Sequence, residues 1–172
     1  MHNSPTIDLR AAPSVLFLFG LAGAGKNYVG DLLAGLSGRY VYHADCDLTP
    51  AMHEAIRRGA GFTDQMRNDF FTIVAQRISE LRYQHGPLIV TQAAYKQRHR
   101  DYISDTVGDV EFVHIVAPDE VIAARLRSRG DLITPEFSKV MRAHFELPEP
   151  MVKSIDNSAT QDNVLVQLVS LY

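Results

Sequence analysis

A glycine-rich turn at residues 20–27 constrains the fold of this chain more than any other feature. It follows an unbroken apolar run, residues 15–19, and has the spacing G-x-x-x-x-G-K, with glycines at 20 and 25 and a lysine at 26. At this spacing, successive backbone N–H groups can curl around a polyphosphate while the lysine ammonium reaches its outer oxygens. The helical pattern that follows adds the positive N-terminal end of a helix. We therefore predict a buried strand, a phosphate-binding loop and a helix, and the position between these elements disfavours a chance match.

The nucleotide-binding residues implied by this loop are consecutive or nearly so. They are Gly20, Ala22, Gly23, Ala24, Gly25, Lys26, Asn27 and Tyr28. Asn27 departs from the usual pattern, in which a Ser or Thr supplies a hydroxyl to Mg²⁺. An amide oxygen is a longer and differently aimed metal ligand. Asn27 is nevertheless the first candidate ligand for Mg²⁺ in this sequence.

Length and composition indicate one domain. The chain has 172 residues, 46% of them hydrophobic, which is enough for a single well-packed core. We predict a loose N-terminal lead-in over residues 1–14 and a single domain over residues 15–172. The formal net charge of −3 argues against a nucleic-acid-binding protein. No segment is long enough to span a bilayer, so a membrane partner is not expected.

The numbers and spacing of the cysteine and histidine residues argue against a disulfide and against a histidine metal site. Cys46 is the only cysteine, so an internal disulfide is excluded and a reducing cytoplasm is expected. The histidines show no metal-ligand spacing, and we predict core, surface or turn positions for them.

Strand-like and helix-like patterns alternate along the chain. The predicted strands are residues 15–19, 40–43, 88–92, 111–116 and 152–156. This alternation predicts an α/β fold, a doubly wound five-stranded parallel sheet with helices on both faces. In such a sheet, ligands bind beyond the carboxyl ends of the strands. The polar residues that follow predicted strands are Gly20 to Asn27, Asp45 and Asp47, Thr91 to Lys96, and Asp156 with Asn157.

Four further motifs follow the loop in a fixed order. They are the spaced set Asp45, Glu54, Gly59, Thr63, Asp64 and Arg67, the run Lys96-Gln97-Arg98-His99-Arg100-Asp101, the run Arg125-Leu126-Arg127-Ser128-Arg129-Gly130, and Leu147-Pro148-Glu149-Pro150. With the phosphate loop, these motifs make nearly the whole chain after residue 14 resemble the small P-loop kinases. The resemblance is strongest to the gluconate kinases, with shikimate kinase as a nearby relative. It implies a P-loop kinase fold with a small helical lid at about residues 125–145, and ATP and Mg²⁺ as cofactors.

The resemblance and the residue chemistry together suggest catalytic roles. Lys26 would clamp the phosphates, and Asp45 would orient the acceptor hydroxyl or take its proton. Asp45 is also a second candidate metal ligand. Arg125 and Arg129 lie four residues apart on one helix, so both guanidinium groups can close over the phosphates, and Arg125 is the candidate for transition-state charge stabilisation.

Asp45, Asp47, Arg67 and Lys96 are the candidate acceptor-binding residues. Two of these assignments have structural alternatives. Asp47 can instead cap the following helix or close its turn. Arg67 can instead form an ion pair with Asp64.

The positions that depart from the gluconate kinase pattern lie on the acceptor side. They are Leu48 and Thr49, Met52, Gln65 and Met66, Asp69 and Phe70, and Ala93. We therefore predict an ATP-dependent phosphotransferase that acts on a hydroxyl of a small anionic metabolite, with gluconate as the first acceptor to try. One alternative is a nucleotide-binding protein with reduced or no kinase activity. Another is a kinase for a shikimate-like acid, a nucleoside or an antibiotic. A homodimer is one option for its assembly.

Overall fold

The computed structural model describes residues 6–130 and 133–172, which form five strands and seven helices. The strands are β1 (Val15–Phe19), β2 (Tyr40–His43), β3 (Leu88–Thr91), β4 (Val110–Val116) and β5 (Lys153–Asp156). The helices are α1 (Lys26–Ser37), α2 (Pro50–Arg57), α3 (Asp64–His85), α4 (Gln97–Val107), α5 (Asp119–Arg129), α6 (Pro135–Arg142) and α7 (Gln161–Leu171). A 3₁₀ turn, Ala44–Asp47, follows β2.

All five strands are parallel, and their order in the sheet is β2-β3-β1-β4-β5. This confirms the predicted doubly wound α/β fold. The first strand of the sequence is the middle strand of the sheet, with β3 on one side and β4 on the other. The loop after β1 therefore lies where the strand order reverses direction, which is the usual ligand site of open parallel sheets.

The side chains of β1 alternate between two cores. Phe17 and Phe19 pack in the core that contains α3, whereas Leu16 and Leu18 pack in the core that contains α1 and α7. Every residue of β1 is buried. Burial on both faces explains why this strand reads as a continuous apolar run.

The N-terminal segment is more ordered than the predicted loose lead-in. In the described part, residues 6–14, Ile7 and Leu9 are buried in the core beside α1. The backbone N–H of Ile7 donates to Leu36 O at 3.0 Å. The Arg39 guanidinium donates to carbonyl oxygens of residues 9, 12 and 13. Residues 1–5 of the predicted lead-in lie outside the described residues.

The segment predicted to form a lid contains the end of α5 and the whole of α6, and residues 131 and 132 within it lie outside the described residues. Helix α6 begins at a capping threonine, because Thr134 Oγ1 accepts from Phe137 N at 3.1 Å. Phe137 and Met141 pack with Ile56 and Tyr95 in a small separate cluster. Helix α6 thereby covers the carboxyl edge of the sheet. Within the described residues, no helix is long and apolar enough to cross a bilayer.

Candidate active site

The loop between β1 and α1 requires glycine at two positions. A Cβ at Gly20 would lie 2.3 Å from Ile115 O, and one at Gly25 would lie 2.1 Å from Asn157 Nδ2. Both residues also have positive φ angles, 152° and 91°. Only glycine adopts such a conformation at so close an approach without strain. The backbone path of the loop, rather than ligand contact alone, therefore explains the glycine spacing.

Side chains from distant elements hold the outside of this loop. Asn157, which is buried, donates from Nδ2 to Ala24 O at 2.9 Å. Arg125 donates from Nη1 to the same carbonyl at 3.2 Å and from Nη2 to Asn157 O at 2.6 Å. The backbone N–H groups of the loop are thus held in place by the protein itself. Such preorganisation lowers the ordering cost of binding phosphate.

These contacts change the interpretation of Arg125, which was predicted to be catalytic. Its guanidinium is directed at backbone carbonyls of the loop, so the structure gives it a positioning role. Arg129, one turn further along α5, lines the cavity described next. Arg129 is therefore the better placed of the two to contact a phosphate.

A cavity of about 400 Å³ opens beside the loop. It is lined by Ala22, Gly23, Gly25, Lys26, Asn27, Asp45, Leu48, His53, Ile56, Phe62, Gln92, Ala93, Tyr95, Leu126, Arg129, Ile133, Phe137 and Met141. The loop supplies one wall, and α2, α5 and α6 supply much of the rest. Tyr28, predicted to bind nucleotide, is an exposed residue of α1 and is not among the residues that line this cavity.

Lys26 is buried at the floor of the cavity, and its Nζ donates to Leu21 O at 3.0 Å. Burial lowers the pKa of Lys26 to about 8, the Asp45 carboxylate raises the pKa in part, and the Arg129 guanidinium lowers it further. The cause is that a buried ammonium loses hydration, which favours its neutral form. An incoming polyphosphate would favour the charged form and raise this pKa.

Asp45 faces the same cavity from the 3₁₀ turn after β2. The amide of Gln92 donates from Nε2 to Asp45 Oδ1 at 2.9 Å. Gln92 directly follows β3, the strand that pairs with both β1 and β2. The neighbouring strand end therefore orients the candidate catalytic carboxylate.

Asp47 has a structural role, in contrast to its predicted acceptor-binding role. The Tyr42 hydroxyl donates to Asp47 Oδ2 at 2.6 Å, and Arg77 Nε donates to the same oxygen at 3.1 Å. The hydrogen bond from Tyr42 and the ion pair with Arg77 together lower the pKa of Asp47. The Asp47 carboxylate is thus bound to Tyr42 and Arg77 outside the cavity.

Lys96 likewise lies outside the cavity, in contrast to its predicted acceptor-binding role. Its Nζ donates to Glu146 Oε1 at 3.1 Å, and the other oxygen of Glu146 accepts from Gln97 N at 2.7 Å. This pair fastens the start of α4 to the segment after α6. These contacts give Lys96 a structural role.

Arg67 is buried, 5% exposed, beside the main cavity. Its Nη1 donates to Phe62 O at 2.7 Å and lies 3.7 Å from Asp64 Oδ1. Its Nη2 has no hydrogen-bond partner among the described residues. Arg67 lines a space of about 40 Å³ that shares six lining residues with the main cavity: Leu48, Phe62, Gln92, Ala93, Tyr95 and Met141. A buried guanidinium nitrogen without an acceptor is costly, and an anion would satisfy it.

The donor set at the loop fits Mg²⁺. Asn27 and Asp45 both line the cavity, where Asp45 offers a carboxylate and the Asn27 amide oxygen accepts from Thr91 Oγ1 at 2.6 Å. Mg²⁺ is usually held by one or two such oxygen groups together with phosphate oxygens and water. In the described parts of the chain, no group of three or more His, Cys, Asp or Glu side chains could hold a metal on its own. A metal here would depend on the nucleotide for most of its ligands.

The structure adds several residues to the site that the sequence patterns do not assign. His53, for which the sequence predicts only a core, surface or turn position, lines the cavity. Gln92 and Tyr95 line it as well. Tyr95 OH accepts from Ala22 N at 3.4 Å. Gln92 and Tyr95 fall in the polar stretch after the third strand. Their position beyond the carboxyl end of a parallel strand is the sequence signal that indicates a site. No periodicity or spacing marked His53.

The sheet order, the phosphate loop at its middle strand and the carboxylate that faces it define an α/β protein of the P-loop kinase type. No protein-family model matches the chain. The chain is 27% identical over 162 residues to the gluconokinase of Gluconobacter oxydans (strain 621H), covering 91% of this chain and 90% of that protein. It is also 26% identical over 157 residues to a probable gluconokinase of Mus musculus, covering 81% of this chain and 84% of that protein.

Solved structures agree with this similarity at the level of the fold. A gluconokinase from Sinorhizobium meliloti 1021 superposes with a TM-score of 0.79 at 21% identity, covering 92% of this chain and 90% of that chain. A shikimate kinase from Acinetobacter baumannii superposes with a TM-score of 0.58 at 19% identity, covering 95% and 93%. The predicted resemblance to gluconate and shikimate kinases is thereby confirmed. The chain is similar to gluconokinases in sequence, and its fold is the one these solved kinases share.

Proposed function

We propose that this protein is an ATP-dependent small-molecule kinase that transfers the γ-phosphate to a hydroxyl group of a small anionic acceptor. The observation that carries the proposal is the placement of Lys26 and Asp45 around one cavity. Lys26 belongs to the preorganised phosphate loop, and Asp45 enters from a different strand. Phosphoryl transfer needs this arrangement, with a phosphate held on one side and an acceptor oxygen oriented on the other.

The nucleotide side uses the loop N–H groups, Lys26 and Arg129 to hold the phosphates. Mg²⁺, held by Asn27 or Asp45 together with the phosphates, would supply positive charge to the β- and γ-phosphate oxygens. On the acceptor side, the hydroxyl oxygen bonds to the γ-phosphorus while the bond from that phosphorus to the bridging oxygen of ADP breaks. The hydroxyl proton passes to Asp45, which Gln92 keeps oriented.

Arg67 supports an acceptor that carries a negative charge. Its Nη2 is buried without a partner among the described residues, next to the cavity that Asp45 faces. A carboxylate on the acceptor would pair with this nitrogen and leave the hydroxyl nearer Asp45. Gluconate, a hydroxy acid, is the first acceptor to test because the relatives are gluconokinases.

An acceptor with fewer hydroxyl groups than gluconate is the second candidate, and the cavity lining favours testing it. The acceptor side is lined by Leu48, Ile56, Phe62, Phe137 and Met141. Hydroxyl groups buried against such side chains lose hydrogen bonds to water without replacement. A cyclic, shikimate-like acid or a nucleoside would bury more carbon surface and fewer hydroxyl groups than gluconate.

The test measures ADP release from ATP and Mg²⁺ across a panel of gluconate, shikimate, nucleosides and aminoglycosides. We expect turnover with at least one acid of the panel, and loss of that turnover in Asp45→Asn. Asp47→Asn is the matched control, because Asp47 carries the same group two residues away but lies outside the cavity. ATP binding without turnover on any acceptor would favour the nucleotide-binding alternative.

The state of Cys46 indicates in which cellular compartment the protein works. It is the only cysteine and is exposed and unpaired, which supports a reducing compartment such as the cytoplasm.

A further inference from the structure

Two buried side-chain nitrogen atoms, Arg67 Nη2 and His99 Nδ1, have no hydrogen-bond partner among the described residues. Both side chains line the same space of about 40 Å³ beside the main cavity. Arg67 is 5% exposed and His99 is 3% exposed, so neither nitrogen is turned to bulk water. A buried polar atom without a partner is costly. Two of them around one space indicate a site for a polar group.

The contacts of the His99 ring leave only its Nδ1 for this space. The ring stacks on Phe71, with the ring centroids 4.6 Å apart. Its Nε2 lies 2.9 Å from Asn68 Oδ1 and 3.4 Å from Arg98 Nε. Asn68 and Arg98 line a groove between α3 and α4 and are not among the residues that line the small space. The Nε2 edge of the ring therefore lies towards the groove, and Nδ1 is the ring nitrogen available to the small space.

The two unpartnered nitrogen atoms belong to groups of different charge. Asp64 Oδ1 lies 3.7 Å from Arg67 Nη1 and 2.7 Å from Arg98 Nη2, so one carboxylate faces two guanidinium groups and a positive charge remains. Burial, more than the neighbouring Arg98 and Arg67, lowers the pKa of His99 to about 4, so its ring is neutral near neutral pH. The space therefore offers a cationic donor and a neutral ring nitrogen.

A carboxylate with a hydroxyl group on the next carbon satisfies both nitrogen atoms. The guanidinium N–H of Arg67 donates to a carboxylate oxygen. A hydroxyl donates to a ring nitrogen that has a free lone pair and accepts from one that carries a hydrogen, so it pairs with either tautomer of His99. A space of this volume holds about three water-sized groups, which matches the three oxygen atoms of a carboxylate and an adjacent hydroxyl.

Gln92 links the small space to the candidate catalytic carboxylate. It lines both the small space and the main cavity, and its Nε2 donates to Asp45 Oδ1 at 2.9 Å. An acceptor whose carboxylate end lies in the small space can therefore bring a more distant hydroxyl to Asp45. Most of the acceptor side between these points is apolar and offers few partners to the hydroxyl groups in the middle of the molecule.

We propose that His99 is a specificity-determining residue that binds the hydroxyl group next to the carboxylate of the acceptor, while Arg67 binds the carboxylate itself. The inference rests on the proposed function and deepens it, because it requires the acceptor to be a 2-hydroxy acid. The hydroxyl that receives the phosphate is a different one, at the Asp45 end. Gluconate carries the required pair of groups, whereas shikimate and the nucleosides do not.

The experiment compares kcat/KM for D-gluconate or D-galactonate, whichever is turned over, with kcat/KM for its 2-deoxy and 3-deoxy analogues. Each analogue lacks one hydroxyl group, but only the 2-deoxy analogue lacks the one next to the carboxylate. We expect kcat/KM to fall about 10- to 100-fold for the 2-deoxy analogue, because His99 Nδ1 is then left unpaired. The 3-deoxy analogue is the matched control and should stay within about threefold, since the apolar lining gives its missing hydroxyl no partner.

Two variants of His99 separate the roles of its ring nitrogen atoms. The amide of His99→Asn reaches the position of Nδ1, and the longer side chain of His99→Gln places its amide at the position of Nε2. We expect His99→Asn to keep most of the preference for the 2-hydroxy acid over its 2-deoxy analogue. His99→Gln should use the two within about twofold of each other. His85→Gln, at an exposed position at the end of α3, is the matched control and should keep the full preference.

Thermal denaturation and ADP affinity show whether the variants are folded, and both should match the unaltered protein. The comparison of the analogues on the unaltered protein needs no variant and stands if His99→Gln does not fold.

Four outcomes would contradict the assignment in different ways. Equal use of the 2-hydroxy acid and its 2-deoxy analogue by the unaltered protein would overturn it, since the small space then takes only water. A full preference in folded His99→Gln would overturn the role of His99. Turnover of shikimate or a nucleoside, but of neither aldonate, would overturn the inference and leave the kinase proposal intact. Absence of turnover with every acceptor would instead remove the proposed function on which the inference rests.

Discussion

The two halves of the cavity are built in different ways. On the phosphate-loop side, the contacts are mostly to backbone, and buried side chains such as Asn157 fix the path of the main chain. On the acceptor side, apolar side chains from α2 and α6 line the cavity, and the small space beside it is lined by Arg67, whose Nη2 has no partner in the described residues. The phosphate-loop half is held by contacts within the protein. The acceptor half contains a buried guanidinium nitrogen that an anion would satisfy. The difference indicates that nucleotide binding is set by backbone geometry and acceptor choice by a few side chains.

The largest expected effect is at Lys26, on the nucleotide side. Lys26→Ala removes the buried ammonium that would face the transferring phosphate, and we expect turnover to fall at least about 10³-fold. Thermal stabilisation by ATP should disappear as well. Lys96→Ala, which loses only its ion pair with Glu146, is the matched control and should retain both. Full thermal stabilisation of Lys26→Ala by ATP would remove the phosphate-loop assignment.

Substitution of Gly25 tests how much the loop conformation contributes to the stability of the fold. Gly25→Ala places a Cβ 2.1 Å from Asn157 Nδ2 at a positive φ, and we expect the free energy of unfolding to fall by about 2–3 kcal/mol. Gly35→Ala, within α1 and with no atom within 4 Å of the added Cβ, should raise it by about 0.5–1 kcal/mol. Chemical denaturation of both variants measures the contrast. Equal stabilities would show that the loop is not held as tightly as these contacts indicate.

Arg67 tests the acceptor half. Arg67→Met keeps the apolar stem and removes the charge, so KM for an anionic acceptor should rise about 10- to 100-fold. The affinity for ADP should stay unchanged, because Arg67 is not part of the phosphate loop. Arg57→Met, at an exposed position of α2, is the control. Steady-state kinetics with the acceptor found in the panel distinguish this rise in KM from a loss of Asp45 function, because the loss of Asp45 function would lower kcat.

The smallest expected effect is a pH dependence of nucleotide binding. Burial lowers the pKa of Lys26 to about 8, so its ammonium is present below pH 8 and lost as the pH rises above it. A bound phosphate restores the proton. ADP affinity should therefore be nearly constant from pH 7 to 8 and then fall by up to about tenfold per pH unit.

Calorimetry at pH 9 in two buffers of different ionisation enthalpy counts the proton taken up on binding. Lys26→Arg, which stays charged at pH 9, should bind without this proton uptake. The absence of proton uptake in the unaltered protein at pH 9 would contradict the assignment.

The same contrast explains what the sequence could and could not predict. The strand, the loop and the helix after it are all encoded within residues 15–37, so a local pattern was enough. The partners of Asp47 and Lys96 were not accessible in this way, because Arg77 and Glu146 lie 30 and 50 residues away along the chain. Arg125 illustrates the same point, since its contacts to the loop cross about a hundred residues. Local motifs predict which residues are near the site, whereas tertiary contacts decide which of them are already engaged.

The single cysteine, Cys46, provides one attachment site for a fluorescent label next to Asp45. Cys46 is exposed on the turn that carries the proposed catalytic carboxylate, and desolvation, more than the adjacent Asp47, raises its pKa. A maleimide dye should therefore attach at one place only, and slowly enough near neutral pH to be controlled. Its emission would report occupancy of the neighbouring crevice in real time, with no engineered label.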